Sequence, residues 1–308
     1  MEVNMARKNS TIKILLVSLC LMFVLSSCAI DTTYPGTMNV VEAAKVISDS
    51  ASDANVVVID ARSAEDYAKG HMEGAINLAP SELVVDTPVP ATLAPKDQVE
   101  AVLSSKGIAN DSVVYVYDAN GGVNSARVWW TLKVYGHQTV MIVNGGANAL
   151  VNAGAVLTLD APAITPTQYV ASDANTAMIA TFDEVSKYAE QPQEGVVILD
   201  VRSLAEYEAG YIPGAVLYPH TNNLYSDGTF MSSRDIGLFY GDKDIQKDDT
   251  IIVYCGSGFR ASQAVALLQE AGFENVKLYD GSWAEWSTKG DVAAPAEDEA
   301  PVGASDGS

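Results

Sequence analysis

Apolar positions along the chain fall into two kinds of run that alternate. Short, continuous stretches of β-branched and aromatic residues, Val56–Ile59, Val113–Tyr117 and Met141–Val143, are bounded by Asp, Gly and Asn. Such stretches mark strands buried on both faces of a parallel sheet. Between them lie segments with helical spacing, 64–69, 96–105 and 125–135. The alternation then recurs, with strands at Val196–Asp200, Ile251–Tyr254 and Lys277–Tyr279 and helices at 182–190 and 261–271. Strand–helix alternation predicts an α/β fold built on parallel sheets.

The two halves are copies. Val56 to Ala79 reads VVVIDARSAEDYAKGHMEGAINLA and Val196 to Pro219 reads VVILDVRSLAEYEAGYIPGAVLYP. Asp60/Asp200, Arg62/Arg202, Tyr67/Tyr207, Gly70/Gly210 and Gly74/Gly214 stand at one constant offset. Further on, Val113–Asp118 matches Thr250–Cys255, and Val140–Gly145 matches Val276–Gly281. The duplication predicts one domain over 34–158 and a second over 176–290, joined by an Ala/Thr/Pro-rich connector at 155–176. An acidic Pro/Ala/Gly-rich tail, 291–308, reads as disordered.

The first 27 residues carry a different signal. Arg7, Lys8 and Lys13 precede an apolar run, Ile14–Leu25, which has the length of a signal-peptide core and is short for a membrane span. Leu25-Ser26-Ser27-Cys28 resembles the cleavage box of bacterial lipoproteins. It implies lipidation of Cys28, membrane attachment through that lipid, and an extracytoplasmic location. The chain carries a net charge of −21, which opposes binding to nucleic acid phosphates. Of its three cysteines, Cys20 falls in the removed segment and Cys28 takes the lipid, so Cys255 is left without a disulfide partner. The three His are scattered, so no metal site is expected.

Cys255-Gly256-Ser257-Gly258-Phe259-Arg260 stands where a strand ends and a helix begins. Glycines there let main-chain amides converge, and the helix N-terminus adds positive potential. That position favours an anionic sulfur and a nucleophilic Cys255, with Arg260 as a nearby cation.

Taken together, the chain resembles the tandem rhodaneses, the thiosulfate/3-mercaptopyruvate sulfurtransferases. The resemblance is carried by Asp60-Ala61-Arg62 and Asp200-Val201-Arg202, by Gly70–Ala75 and Gly210–Ala215, and by the Cys255 loop and Tyr279–Trp286. It implies two rhodanese-like domains, each a parallel sheet flanked by helices, with chemistry in the second. Asp118 stands at the position of Cys255 in the first, and a carboxylate cannot accept sulfane sulfur. The implied reaction moves sulfur from thiosulfate or 3-mercaptopyruvate, a small anionic donor, to a thiol or cyanide through a Cys255 persulfide, without a cofactor. Gly256, Gly258 and Phe259 would hold the sulfur, and Arg202 and Arg260 the donor; the alternative for Arg202 is a structural salt bridge with Asp200 or Glu206, and Arg62 reads as structural. The Cys-Gly-Ser-Gly loop resembles the mercaptopyruvate branch, which implies a proton relay of Ser257, His71 and Asp60. Arg260 resembles instead the single-domain rhodaneses and favours thiosulfate. Phosphatases built on the same scaffold place the Arg six positions after the Cys, whereas Arg260 is five after Cys255. A non-enzymatic persulfide carrier or partner-binding lipoprotein needs the same thiol and stays open as the alternative.

Overall fold

A computed structural model describes Tyr34, Gly36 and residues 38–294. The signal segment, Cys28 and the tail beyond 294 lie outside the described residues. No helix among the described residues is long and apolar enough to cross a membrane.

The first half contributes strands β1 (Val40–Val41), β2 (Val56–Asp60), β3 (Ile76–Asn77), β4 (Val113–Tyr117) and β5 (Val140–Val143). The second contributes β6 (Ile179–Ala180), β7 (Val196–Asp200), β8 (Val216–Leu217), β9 (Thr250–Tyr254) and β10 (Asn275–Tyr279). Each half forms a five-stranded sheet, ordered β1-β5-β4-β2-β3 and β6-β10-β9-β7-β8. Every neighbouring pair is parallel. The repeat in sequence is therefore a repeat in topology. Val and Ile dominate the central strands because both faces are covered by helices, so no polar alternation appears.

Two of those helices join the halves. Val123–Val134 follows β4, Phe259–Glu270 follows β9, and the two pack against each other. Nearly every side chain of each is buried. Helices this deeply buried need neighbours on most sides, and each half supplies them to the other's helix. Trp129 and Trp130 are wholly buried, and Trp286 nearly so.

Three features go beyond the sequence reading. The connector is irregular but tied down: Thr167 donates its amide to Ser104 O at 3.0 Å, and Tyr169 is buried with its hydroxyl 3.1 Å from His137 Nδ1. The start of the tail is ordered, because Ala293 pairs with Tyr211 and the Trp286 indole donates to Asp291 O at 2.7 Å. A nine-residue helix, Ser233–Gly241, also lies in a stretch without a clear apolar repeat, capped by the Ser232 hydroxyl.

Candidate active site

Strand β9 lies in the middle of its sheet and ends at Tyr254, so Cys255 emerges at the carboxyl edge of the central strands. Open α/β sheets place their ligands at this edge. Gly258 has φ +85° and turns the chain directly into the Phe259–Glu270 helix, a conformation that glycine adopts without Cβ strain. The carbonyls of the loop are engaged from behind. Cys255 O accepts the Trp283 amide at 2.9 Å, Gly256 O accepts the Ala284 amide at 3.0 Å, and Gly258 O accepts the Ser262 amide at 2.9 Å. The amides of Gly256, Ser257 and Gly258 donate to no protein acceptor among the described residues. They are available to an anion.

The first half shows what this loop holds. Asp118 occupies the position of Cys255, and its carboxylate is 1% exposed. It accepts the amides of Asn120 (3.1 Å), Gly122 (3.0 Å) and Ser125 (2.9 Å), together with the Ser125 hydroxyl (3.1 Å). This is an anion cradle filled by the chain's own carboxylate.

Cys255 is a free thiol but is covered, at 1% exposure. The Arg260 guanidinium lies beside its side chain, and Nη2 would come 3.1 Å from a Cβ placed on Gly256. Glu206 grips that guanidinium with both oxygens, at 2.7 and 2.8 Å. The Ser203 amide and hydroxyl in turn hold Glu206, at 3.0 and 2.8 Å. The Arg260 hydrogen bonds, with help from Ser203, pull the Glu206 carboxyl down from 4.5 to about 2. Glu206 likewise holds Arg260 in its charged form, and Cys255 adds to that effect. His220 is close enough to Arg260 and Glu206 to feel their charges; burial first, then Arg260, lowers its pKa and favours the neutral ring.

The remaining residues implied by resemblance are placed differently. Arg202 is 2% exposed and pairs with Asp200. Its Nε lies 3.0 Å from each Asp200 oxygen, its Nη2 donates to Asp200 (2.6 Å) and Gly210 O (2.7 Å), and its guanidinium stacks 4.3 Å from the Trp283 ring. Arg62 repeats the same bonds to Asp60 and Gly70 O in the first half, so this pair fixes a turn. Arg202 Nη1 makes no hydrogen bond among the described residues.

Ser257, His71 and Asp60 are not brought together by any hydrogen bond among the described residues. Asp60 bonds to Arg62 and the Tyr117 hydroxyl, as Asp200 bonds to Arg202 and Tyr254. His71 is 1% exposed, turns its ring nitrogens to Tyr67 O (3.0 Å) and Asp160 O (3.3 Å), and stacks on Tyr67 at 3.7 Å. In the second half the matching residue is Tyr211, stacked on Tyr207 at 4.0 Å. A pairing that recurs with a different ring is a packing device. Ser257 is half-buried, and its hydroxyl bonds to no protein group among the described residues.

From the sequence Glu206 is a candidate partner of Arg202, whereas the structure gives it to Arg260; the pairing of Asp280 with Arg127 went unread. An arginine inside the run Ala126-Arg127-Val128-Trp129-Trp130 was the available signal, since a charge on a buried helix needs a partner.

Two parallel sheets, a Cys-bearing loop on one and a filled copy of that loop on the other define a duplicated α/β protein with one free thiol among the described residues. Residues 43–153 and 181–289 each match the rhodanese-like domain, and the chain belongs to the tandem rhodanese-domain thiosulfate sulfurtransferase family. A "Putative thiosulfate sulfurtransferase" of Haloferax volcanii is 33% identical over 76% of this chain and 85% of its own length. The "Sulfur carrier protein TtuD" of Thermus thermophilus is 31% identical over 71% and 83%. Among solved structures, the anaerobic ergothioneine biosynthesis enzyme from Chlorobium limicola superposes with a TM-score of 0.74 at 20% identity, covering 82% of this chain and 69% of that one. That likeness is one of fold.

Proposed function

We propose that the protein is a sulfurtransferase that carries sulfane sulfur on Cys255 and takes it from thiosulfate. The Cys255 thiolate attacks the outer sulfur of the donor. A new S–S bond forms at Cys255, the donor's own S–S bond breaks, and its electron pair leaves with sulfite. An acceptor thiolate then attacks the terminal sulfur of the persulfide and returns Cys255 as thiolate. The free amides of Gly256 to Gly258 hold the terminal sulfur, and Arg260 faces the charge of donor and leaving group.

One observation carries this reading. The same loop in the first half already binds an anion, the Asp118 carboxylate, through main-chain amides. In the second half a thiol stands where that carboxylate is attached. Thiosulfate is favoured over 3-mercaptopyruvate because Arg260 is beside the sulfur while the Ser257–His71–Asp60 relay is unassembled.

The test is a transfer assay with both donors on the purified chain beside Cys255→Ser. Sulfite release with thiosulfate, abolished in the variant, is the expected result. Retention of transfer by Cys255→Ser would sink the mechanism.

A carrier role is the second reading, favoured by the 1% exposure of Cys255, since a partner that draws Arg260 aside would expose the sulfur. It predicts one equivalent of sulfite per chain and no steady turnover. We also infer a lipid at Cys28 on an extracytoplasmic membrane face, from the order of charge, apolar run and cleavage box. Incorporation of labelled palmitate that is lost in Cys28→Ser tests it.

A further inference from the structure

Arg127 belongs to the first half but is wholly buried beneath the Cys255 loop of the second. Its Nη1 donates to Asp280 Oδ1 at 2.6 Å and its Nη2 to Ala91 O at 3.0 Å. The guanidinium lies 5.3 Å from the Phe259 ring and 4.8 Å from the Trp130 ring. A Cβ placed on Gly258 would stand 2.8 Å from Nη1 and 3.0 Å from Asp280 Oδ1. The ion pair is therefore the floor on which Gly258 rests. Arg127 Nε finds no partner among the described residues, so the side chain is held for its forked end at some cost in desolvation.

Asp280 passes this anchoring to the reactive residue. Its second oxygen accepts the Leu93 amide of the first half at 2.7 Å. It opens the turn whose next residues grip the Cys255 loop. Ser282 Oγ receives the Cys255 amide at 3.3 Å, and the Trp283 and Ala284 amides hold the carbonyls of Cys255 and Gly256. Those bonds occupy the carbonyls of Cys255 and Gly256 and hold the loop backbone in place.

The inert loop lacks this device. Counted from the glycine that opens each helix, Gln263 stands where Arg127 does, and Asn144 stands where Asp280 does. Gln263 donates to Gly121 O and leaves its own Oε1 without a partner, while Asn144 accepts the Phe230 amide at 2.8 Å. The chain keeps a charged pair under the loop with the thiol and neutral amides under the loop without one.

We propose that Arg127 is a positioning residue for sulfur transfer: through Asp280 it fixes the 280–284 turn, and through that turn the backbone of Cys255. This rests on the sulfurtransferase reading and assigns the first half a defined part in it. Supporting contacts of this kind set how accurately a reactive group is held.

The experiment loads the full chain with thiosulfate and follows the added sulfur on the Cys255 peptide by mass, in wild type, R127Q, R127K, D280N and R127Q/D280N. Melting temperatures are recorded for each. R127Q and D280N should each slow loading at saturating donor by about tenfold with KM changed by less than about twofold, and the double variant should be no slower than the slower single one. R127K, which keeps a cation on Asp280, should recover most of the rate. Wild-type loading in R127Q or D280N, or a rise in KM alone, overturns the proposal. Failure of all the variants to fold would assign the pair to stability alone and overturn it equally. A wild type that gains no sulfur would sink the sulfurtransferase reading instead. Alkylation of Cys255 by iodoacetamide then decides on positioning, with a rate change of about tenfold in R127Q supporting it and an equal rate refuting it.

Discussion

Asp118 accepts the Gly122 amide at 3.0 Å, closing the first-half loop around a carboxylate bonded to the same strand end that carries Cys255 in the second half. The loop thereby keeps its shape without a ligand. Removing the carboxylate leaves the amides of Asn120, Gly122 and Ser125 facing an empty space. Asp118→Ala should destabilise the chain by about 3 kcal/mol, the scale for losing charge-assisted hydrogen bonds at a buried site. Sulfur transfer measured below the melting point should persist, and sulfate should raise the melting temperature of the variant more than that of wild type. Urea denaturation with and without sulfate measures both.

The Arg260–Glu206 pair sets a pH window. The Glu206 carboxyl is depressed from 4.5 to about 2, chiefly by Arg260, so the folded state holds the carboxylate more strongly than the unfolded chain does. Its contribution is complete above 4.5 and is lost as pH falls toward 2. The difference in melting temperature between wild type and Glu206→Gln should be constant from neutral pH down to about 5 and then shrink with further acidification. A difference that changes between pH 8 and 6 would contradict this assignment.

His71 and Asp60 should matter for folding and not for sulfur transfer. Asp60→Asn leaves Arg62 with an uncompensated charge in a largely buried site, a loss on the order of 3 kcal/mol. His71→Gln loses the stack on Tyr67. Both variants should transfer sulfur from thiosulfate within about twofold of wild type when assayed below their melting points. A large loss of transfer from 3-mercaptopyruvate in either would restore the proton relay.

Two glycines separate backbone strain from crowding. Gly214 has φ +76° with nothing within 4 Å of an added Cβ, whereas an added Cβ on Gly258, at φ +85°, would meet Arg127 and Asp280. Gly214→Ala should cost about 1 kcal/mol, the price of a left-handed conformation alone. Gly258→Ala should cost more and also slow sulfur loading, because the Arg127–Asp280 pair must shift. Equal costs, measured by chemical denaturation, would show that the pair yields freely.

The fold was legible because duplication wrote it twice. A strand such as Val113–Tyr117 could be checked against Thr250–Tyr254, and runs this apolar have few places to go except the centre of a sheet. Cys255 stood out for a similar reason, as a reactive residue at a strand end where its counterpart is Asp118. The partners of the arginines were legible only in part. Arg202 and Arg62 carry the same motif, which allows Arg202 a salt bridge with Asp200 or Glu206, and the structure pairs it with Asp200 as it pairs Arg62 with Asp60. Arg260 and Glu206 lie far apart in sequence and meet because a capping box turns Glu206 toward the loop. Arg127 was hidden for the opposite reason: its helix reads as core, and its ion-pair partner belongs to the other copy.

The seam between the Val123–Val134 and Phe259–Glu270 helices has a consequence for how such a chain can change over generations. Each copy hides the other's most apolar helix, so discarding the chemically silent copy would strand a sheet of tryptophan, valine and leucine in water. With Asp118 in place of a thiol, the first copy is free to vary at its own loop yet indispensable as a companion. Inheritance can edit it but cannot dismiss it.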